Sequence, residues 1–163
     1  MDEGFEVLTL MQTGKARIIP VVLVDKPGGT YWATWSAFLA EYLLKLGLVS
    51  RDDFHLFRIV PGVDEAVAEI LKFYRNFRSY RWVGSRMVVR LERKLTADAI
   101  TQLNREFTDI LAGDTFVQRD ALPEEQNEPD LANLPRLVFT PHRRNFGRLR
   151  KVIDAINEAA VEL

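Results

Sequence analysis

Two stretches of the sequence carry residue types that could take part in chemistry. Asp2 and Glu3 precede apolar residues with helical spacing, so they lie at the start of a predicted helix, where the helix dipole favours carboxylates. By themselves, these carboxylates indicate only a helix start. The second stretch, Lys26-Pro27-Gly28-Gly29-Thr30-Tyr31, follows a predicted strand and precedes a predicted helix. Ligands gather at that edge of parallel sheets, and a tight glycine turn is the simpler interpretation.

Several classes of protein have no support in the sequence. His55 and His142 are far apart and lack the spacing of metal ligands, so we expect no metal site. The motifs of serine hydrolases, P-loop enzymes and dinucleotide oxidoreductases are absent from the sequence. The formal net charge is −1, and basic residues alternate with acidic ones. We interpret the basic stretches at residues 75–93 and 142–151 as solvated faces, with phosphate binding as the alternative, and expect no nucleic-acid partner.

Composition indicates a cytoplasmic protein without a membrane partner. The chain has 163 residues, enough for one domain or one and a half small ones, and no cysteine, which suits a reducing compartment. Its apolar runs are too short to cross a bilayer, and its acidic start is unlike a signal peptide.

The first half of the chain alternates predicted helices and strands. Residues 2–13 favour a largely buried helix closed by Gly14, and residues 18–24 favour a strand covered on both faces. After the second predicted helix, residues 50–53 resemble a capping box, and they precede a strand at 55–60 and a helix at 64–74. This alternation predicts a parallel sheet. The second helix ends at Gly47 and has one apolar face: Trp35, Phe38, Leu39, Tyr42, Leu43 and Leu46.

The second half has a different pattern. Residues 86–92 alternate as in a strand with one wet face, and Thr96 can cap the helix that follows. Strands are predicted at 115–119 and 136–140, separated by an acidic, proline-containing stretch, residues 120–135, that favours a mobile loop. Asn145 can cap a final helix. We therefore predict two regions, a partial nucleotide-binding domain at 1–80 and an α+β carboxyl-terminal extension at 81–163.

Two parallel strands and three helices cannot cover both faces of a doubly wound sheet. We therefore expect further strands upstream of Met1, or a second chain that supplies the missing surface.

The order Asp2-Glu3-Gly4-Phe5-Glu6-Val7-Leu8-Thr9, followed by Met11-Gln12-Thr13-Gly14-Lys15, resembles the Lonely-Guy family of nucleotide phosphoribohydrolases, long described as lysine-decarboxylase-like. The family signature is P-G-G-x-G-T-x-x-E, and Met1-Asp2-Glu3 matches its last three positions. Further segments resemble a longer bacterial branch of the family, and they are distinctive as a set. These are Pro27-Gly28-Gly29-Thr30-Tyr31-Trp32, Leu56-Phe57-Arg58-Ile59, Phe73-Tyr74-Arg75-Asn76, Leu134-Pro135-Arg136-Leu137-Val138-Phe139 and Arg143-Arg144-Asn145-Phe146-Gly147-Arg148-Leu149.

The resemblance implies an α/β fold, the carboxyl-terminal half of a Rossmann-like parallel sheet with helices on both faces. It also implies hydrolysis of the N-glycosidic bond of purine or cytokinin nucleoside 5′-monophosphates, with no cofactor, in a homodimer or larger homo-oligomer. The sugar passes through an oxocarbenium-like transition state that a carboxylate can stabilise. The resemblance assigns this catalytic role to Glu3, and we expect Asp2, Gln12 and Tyr31 to contact the nucleotide.

The glycines and threonine that precede the glutamate in the signature are absent from this sequence. We therefore expect the chain to begin partway through its nucleotide-binding domain and to be inactive by itself. The alternative is a nucleotide-binding or dimerisation module without turnover. Amino-acid decarboxylation has less support, because no lysine has a recognisable setting for a Schiff base with pyridoxal phosphate.

Overall fold

The computed structural model describes residues 2–162 and divides the chain into two compact units. The first unit contains the residues up to Lys72 together with Arg143–Lys151, and the second contains Phe73–His142 and the residues from Val152 onward. Within residues 2–162 there are five α-helices, a two-stranded parallel sheet and a four-stranded antiparallel sheet. The α/β class is confirmed, and these elements are compatible with a Rossmann-like fold.

The alternation predicted for the first half is present. Its elements are α1 (Asp2–Gln12), β1 (Val21–Val24), α2 (Tyr31–Phe38), β2 (Phe57–Val60) and α3 (Val63–Phe73). Strands β1 and β2 run parallel, and Val21 lies opposite Phe57. Gly14 ends α1 with φ of 70°, a backbone conformation that favours glycine.

The predicted burial of the first helix and strand is wrong for this chain. In α1 only Met11 is buried, and Phe5 and Val7 are exposed. Strand β1 is half-buried along most of its length, and Val24 is exposed. A sheet of two strands has an open edge on each side, so it leaves the neighbouring helices little surface to pack against.

The apolar face predicted for the second helix divides into two sets. Helix α2 continues into a π-helical segment, Leu39–Leu44, which changes the spacing of its side chains. Trp35 and Leu39 are buried against Phe57, whereas Phe38 and Tyr42 are about half exposed at 48% and 57%. The third helix, predicted at 64–74, buries Ala66 and leaves its other large apolar side chains of that spacing exposed: Val67, Ile70, Leu71 and Tyr74.

The second unit is a repeated strand–strand–helix arrangement. Its elements are β3 (Phe77–Val83), β4 (Arg86–Leu91), α4 (Ala97–Glu106), β5 (Val117–Arg119), β6 (Arg136–Phe139) and the end of α5 (Phe146–Glu158). The sheet order is β3-β4-β6-β5, and every pair is antiparallel. The sequence did not predict β3, because a bulge between Phe77 and Ser79 shifts its register and breaks the alternation of apolar residues.

Strand β4 has no wet face, contrary to the prediction. Val88 is fully buried and packs with Leu122 and Val138, and Arg90 is 3% exposed. The covering segment is the stretch 120–135, predicted to be a mobile loop, which instead forms short 3₁₀ turns and is anchored by the buried carboxylate of Glu125. One anchored loop therefore closes the sheet face that the alternation of residues 86–92 had assigned to solvent.

Local helix caps were predicted correctly. The Thr96 hydroxyl accepts a hydrogen bond from the Ala99 amide at 3.2 Å, and Asn145 Oδ1 accepts one from the Arg148 amide at 2.9 Å. These contacts satisfy amide groups that the first turn of a helix leaves unpaired.

Candidate functional site

Asp2 and Glu3 lie in the exposed first turn of α1. A hydrogen bond from the Glu3 backbone amide lowers the pKa of the Asp2 carboxyl below its ordinary value of 3.8, so Asp2 is ionised at neutral pH. Both side chains are open to a ligand that approaches the start of the helix.

Tyr31 lies near the same end of α1. It begins α2, is 56% exposed and lines an open groove of about 450 Å³ together with Phe5, Thr34, Trp35 and Phe38. Phe5 follows Glu3 by two residues in α1. The groove therefore places an exposed phenol and several aromatic faces beside the first turn of α1, on the side of the helix that Phe5 shares with Asp2 rather than with Glu3.

Gln12 lies at the other end of α1. Nine residue steps separate it from Glu3, a rise of about 14 Å at 1.5 Å per residue. Its amide nitrogen donates a hydrogen bond to Asp53 Oδ2 at 2.7 Å. The structure therefore brings Tyr31 towards the first turn of α1 and keeps Gln12 away from it.

The turn after β1 is shaped by Asp25. Gly28 has φ of 71°, and the Gly29 amide donates to the Lys26 carbonyl at 2.8 Å, which closes a turn with a proline at its second position. The Asp25 carboxylate accepts from the Lys26 amide at 2.9 Å and from the Trp32 amide at 3.4 Å. These contacts favour the tight-turn interpretation of this stretch and give Asp25 a structural role.

A second cavity, of about 310 Å³, lies beside Gln12. Its lining comes from α1 and from residues 39–57, and it is mostly apolar: Phe5, Leu8, Leu39, Leu43, Leu48, Val49, Phe54, Leu56 and Phe57. Three polar residues complete it, namely Thr9, Gln12 and Asp53. Sequence reasoning recognised Asp53 only as a capping residue.

The cap at residues 50–53 is confirmed and explains how Asp53 is held. Ser50 Oγ accepts from the Asp53 amide at 3.3 Å, and Asp53 Oδ2 accepts from the Ser50 amide at 2.7 Å. This reciprocal pair fixes the carboxylate at the edge of the cavity. The spacing of Ser50 and Asp53 in the sequence predicts the cap. Together with the apolar residues Leu39 and Leu43, this spacing could have placed Asp53 at the edge of a cavity.

His55 and His142 belong to different units. Within residues 2–162, no three histidine, cysteine, aspartate or glutamate side chains come together in a way that could hold a metal ion. In the same part of the chain, every helix is too short or too polar to cross a bilayer.

Residues 1–70 match the protein family described as "possible lysine decarboxylase". That description is the older one for the family that the sequence resembles, so the match supports assigning this segment to that family. The segment contains the first-turn carboxylates, Tyr31, Gln12 and Asp53. No curated protein matches the chain.

Proposed function

We propose that the protein is a phosphoribohydrolase that acts on nucleoside 5′-monophosphates and releases the free base and ribose 5-phosphate. The observation that carries this proposal is the position of Glu3, an exposed carboxylate in the first turn of α1, within the segment that matches the family. This is the position of the final glutamate of the family signature.

The chemistry suits a carboxylate at this place. Cleavage of the N-glycosidic bond develops positive charge on the sugar, and an adjacent anion lowers the energy of that transition state or activates the attacking water. The amide groups at a helix start favour the phosphate of the same substrate. Two anions at one helix start repel each other unless positive charge develops between them, so we assign Glu3 to the sugar.

Tyr31 and Asp2 are proposed to contact the nucleotide. The exposed ring of Tyr31, beside Phe5 and Phe38, offers an aromatic face on which a base can stack. Asp2 is ionised and accessible, and its carboxylate can accept hydrogen bonds from the sugar hydroxyls. The proposal that Gln12 also contacts the nucleotide has less support, because its amide is bonded to Asp53 at the far end of α1.

The lysines of the matched segment do not favour decarboxylation. Lys15, Lys26 and Lys45 are exposed, and none of them lines the groove at Tyr31 or the cavity at Gln12. A lysine that forms a Schiff base is usually held in a pocket that lowers its pKa.

The test is base release by the protein isolated from the cells that make it. AMP, GMP and the cytokinin nucleotide N6-isopentenyl-AMP are supplied separately, and free base and ribose 5-phosphate are measured by chromatography. Glu3→Gln is expected to lower the rate by a factor of about 100 or more, because it removes the charge that acts on the sugar.

Glu6→Gln is the matched control. Glu6 is exposed on the same helix, and its replacement is expected to leave the rate unchanged. Equal rates for Glu3→Gln and the unaltered protein would contradict the assignment of Glu3, and absence of base release from all three nucleotides would contradict the proposed activity.

The second candidate is a nucleotide-binding or dimerisation module without turnover. The observation in its favour is that the exposed large apolar side chains are concentrated in the first unit. Within residues 2–162, only two of these side chains, Tyr74 and Val117, lie outside that unit. Such a surface favours association, and we propose a homodimer. Nucleotide binding in calorimetry without base release would favour this candidate, and a monomer in light scattering at high concentration would contradict the dimer.

A further inference from the structure

We propose that the cavity beside Gln12 and Asp53 binds a small apolar molecule that carries an amine. This site shares Phe5 with the groove at Tyr31, but its polar residues do not line that groove, and Glu3 does not line the site. The proposal therefore does not depend on the proposed phosphoribohydrolase activity.

The size and lining of the cavity fit a small-molecule site. A volume of about 310 Å³ lies at the lower end of the range of about 300–1,000 Å³ that is usual for small-molecule sites. Three phenylalanines and several aliphatic side chains form most of the wall, and the polar residues Thr9, Gln12 and Asp53 share it. A wall of this kind selects a compact apolar body with one polar group.

The hydrogen bonding of the Asp53 carboxylate also supports a ligand at this site. Oδ2 accepts from the Gln12 amide nitrogen at 2.7 Å and from the Ser50 amide at 2.7 Å. No hydrogen bond to Oδ1 comes from residues 2–162. The carboxylate is therefore fixed in place by two donors and keeps one oxygen available as an acceptor.

The charge of Asp53 also favours a cationic ligand. Asp53 is half-buried, and within the described part of the chain no lysine, arginine or histidine forms an ion pair with it. A partly buried carboxylate without a counter-ion favours a cationic ligand, because a charge-assisted hydrogen bond offsets its loss of solvation. A ligand of this kind satisfies both parts of the site. Its ammonium group donates to Oδ1 of Asp53, and its apolar body packs among Phe5, Phe54 and Phe57.

The experiment compares two probes of the same shape. 2-Phenylethylamine carries the cation, and 2-phenylethanol replaces it with a neutral hydroxyl. Their dissociation constants are measured on the full chain by isothermal titration calorimetry at neutral pH. The amine is expected to bind about tenfold more tightly than the alcohol, which is the usual difference between charged and neutral hydrogen bonds.

Asp53→Asn removes the charge and keeps an acceptor for the Ser50 and Gln12 donors. It is expected to abolish the tenfold preference and to leave the binding of the alcohol unchanged. Asp52→Asn is the control, since Asp52 lies in the same turn, accepts a hydrogen bond from Asn145 and does not line the cavity. We expect it to retain the preference.

Leu43→Trp tests the location, because a larger side chain in the wall should block both probes while the chain remains folded by circular dichroism. Equal affinity for the two probes, an amine preference that survives Asp53→Asn, or binding unchanged by Leu43→Trp would each overturn the proposal. Failure of both probes to bind at millimolar concentration would also overturn it.

Discussion

Replacing Glu125 by alanine removes the carboxylate that joins the two central strands of the antiparallel sheet. Oε1 of Glu125 accepts from Arg90 at 2.8 and 3.0 Å, and Oε2 accepts from Arg136 at 3.0 Å. All three residues are buried, with 3%, 3% and 0% of Glu125, Arg90 and Arg136 exposed. Arg90 and Arg136 lie opposite each other in the register of β4 and β6. Glu125 thus bridges two like charges that face each other across neighbouring strands.

Glu125→Ala leaves the two arginines with different remaining partners. Arg90 keeps a second carboxylate, Glu128, at 2.8 Å. Among residues 2–162, Arg136 keeps only backbone acceptors, the carbonyls of Leu131 and Leu134. Breaking a buried pair by removing one partner costs about 3–5 kcal/mol, because the remaining charge stays buried without compensation. We therefore expect Glu125→Ala to lower the free energy of unfolding by about 3–5 kcal/mol.

The assay is urea unfolding followed by circular dichroism and by tryptophan fluorescence. Glu124→Ala is the matched control, since Glu124 is the adjacent residue and its pair with Arg86 at 3.0 Å is solvent-exposed. That replacement is expected to cost less than about 1 kcal/mol. Equal losses of stability for the two variants would refute the reasoning, because they would mean that the buried pair contributes no more than an exposed one.

Three further predictions concern stability. Burial raises the pKa of Glu125, but hydrogen bonds from Arg136 and Arg90 outweigh it and hold the pKa below its ordinary value of 4.5. The resulting stabilisation is present above about pH 4.5 and is lost as the pH falls through the folded-state pKa. The difference in free energy of unfolding between the unaltered protein and Glu125→Gln should therefore shrink as the pH falls, and a difference that stays constant from neutral to acid pH would contradict this account. Asn157→Leu should cost about 3 kcal/mol or more in urea unfolding, because it leaves three buried backbone groups of residues 73–77 without their hydrogen bonds. Gly29→Ala should speed hydrogen exchange in the loop after β1, because a Cβ there would lie 2.2 Å from Asp25 Oδ1, and unchanged exchange would contradict the role given to that carboxylate.

Local signals in the sequence predicted much of the secondary structure. Helix α4 has a capping threonine and apolar residues at helical spacing, and both are properties of neighbouring residues that need no knowledge of the fold. The parallel pairing of β1 and β2 followed from the alternation of helices and strands. These features depend on short-range physics, which a sequence displays directly.

Features that depend on distant partners could not be predicted in this way. The alternation of residues 86–92 placed Arg90 on the predicted wet face. Its partner Glu125, without which an arginine is rarely buried, lies 35 residues further along the chain. The cavity beside Gln12 was missed for the same reason, since Asp53 is 41 residues away from Gln12. The catalytic role of Glu3 was inferred from the family resemblance, because an exposed carboxylate at a helix start has no local signature of catalysis in the sequence.

The register that places Arg90 opposite Arg136 has a consequence for folding kinetics. Until Glu125 arrives, pairing of β4 with β6 brings two cations together in a region that is losing water, and this opposes the pairing. We therefore expect the loop to close over the sheet in the same step in which the two central strands join. Loop closure and strand pairing would then have similar φ-values, whereas a loop that closes after the sheet has formed would give φ-values near zero at Glu125. High φ-values at Glu125, similar to those in β4 and β6, would make the acidic stretch at 120–135 part of the folding nucleus of the second unit, and its sequence would then be constrained by the rate of folding as well as by stability.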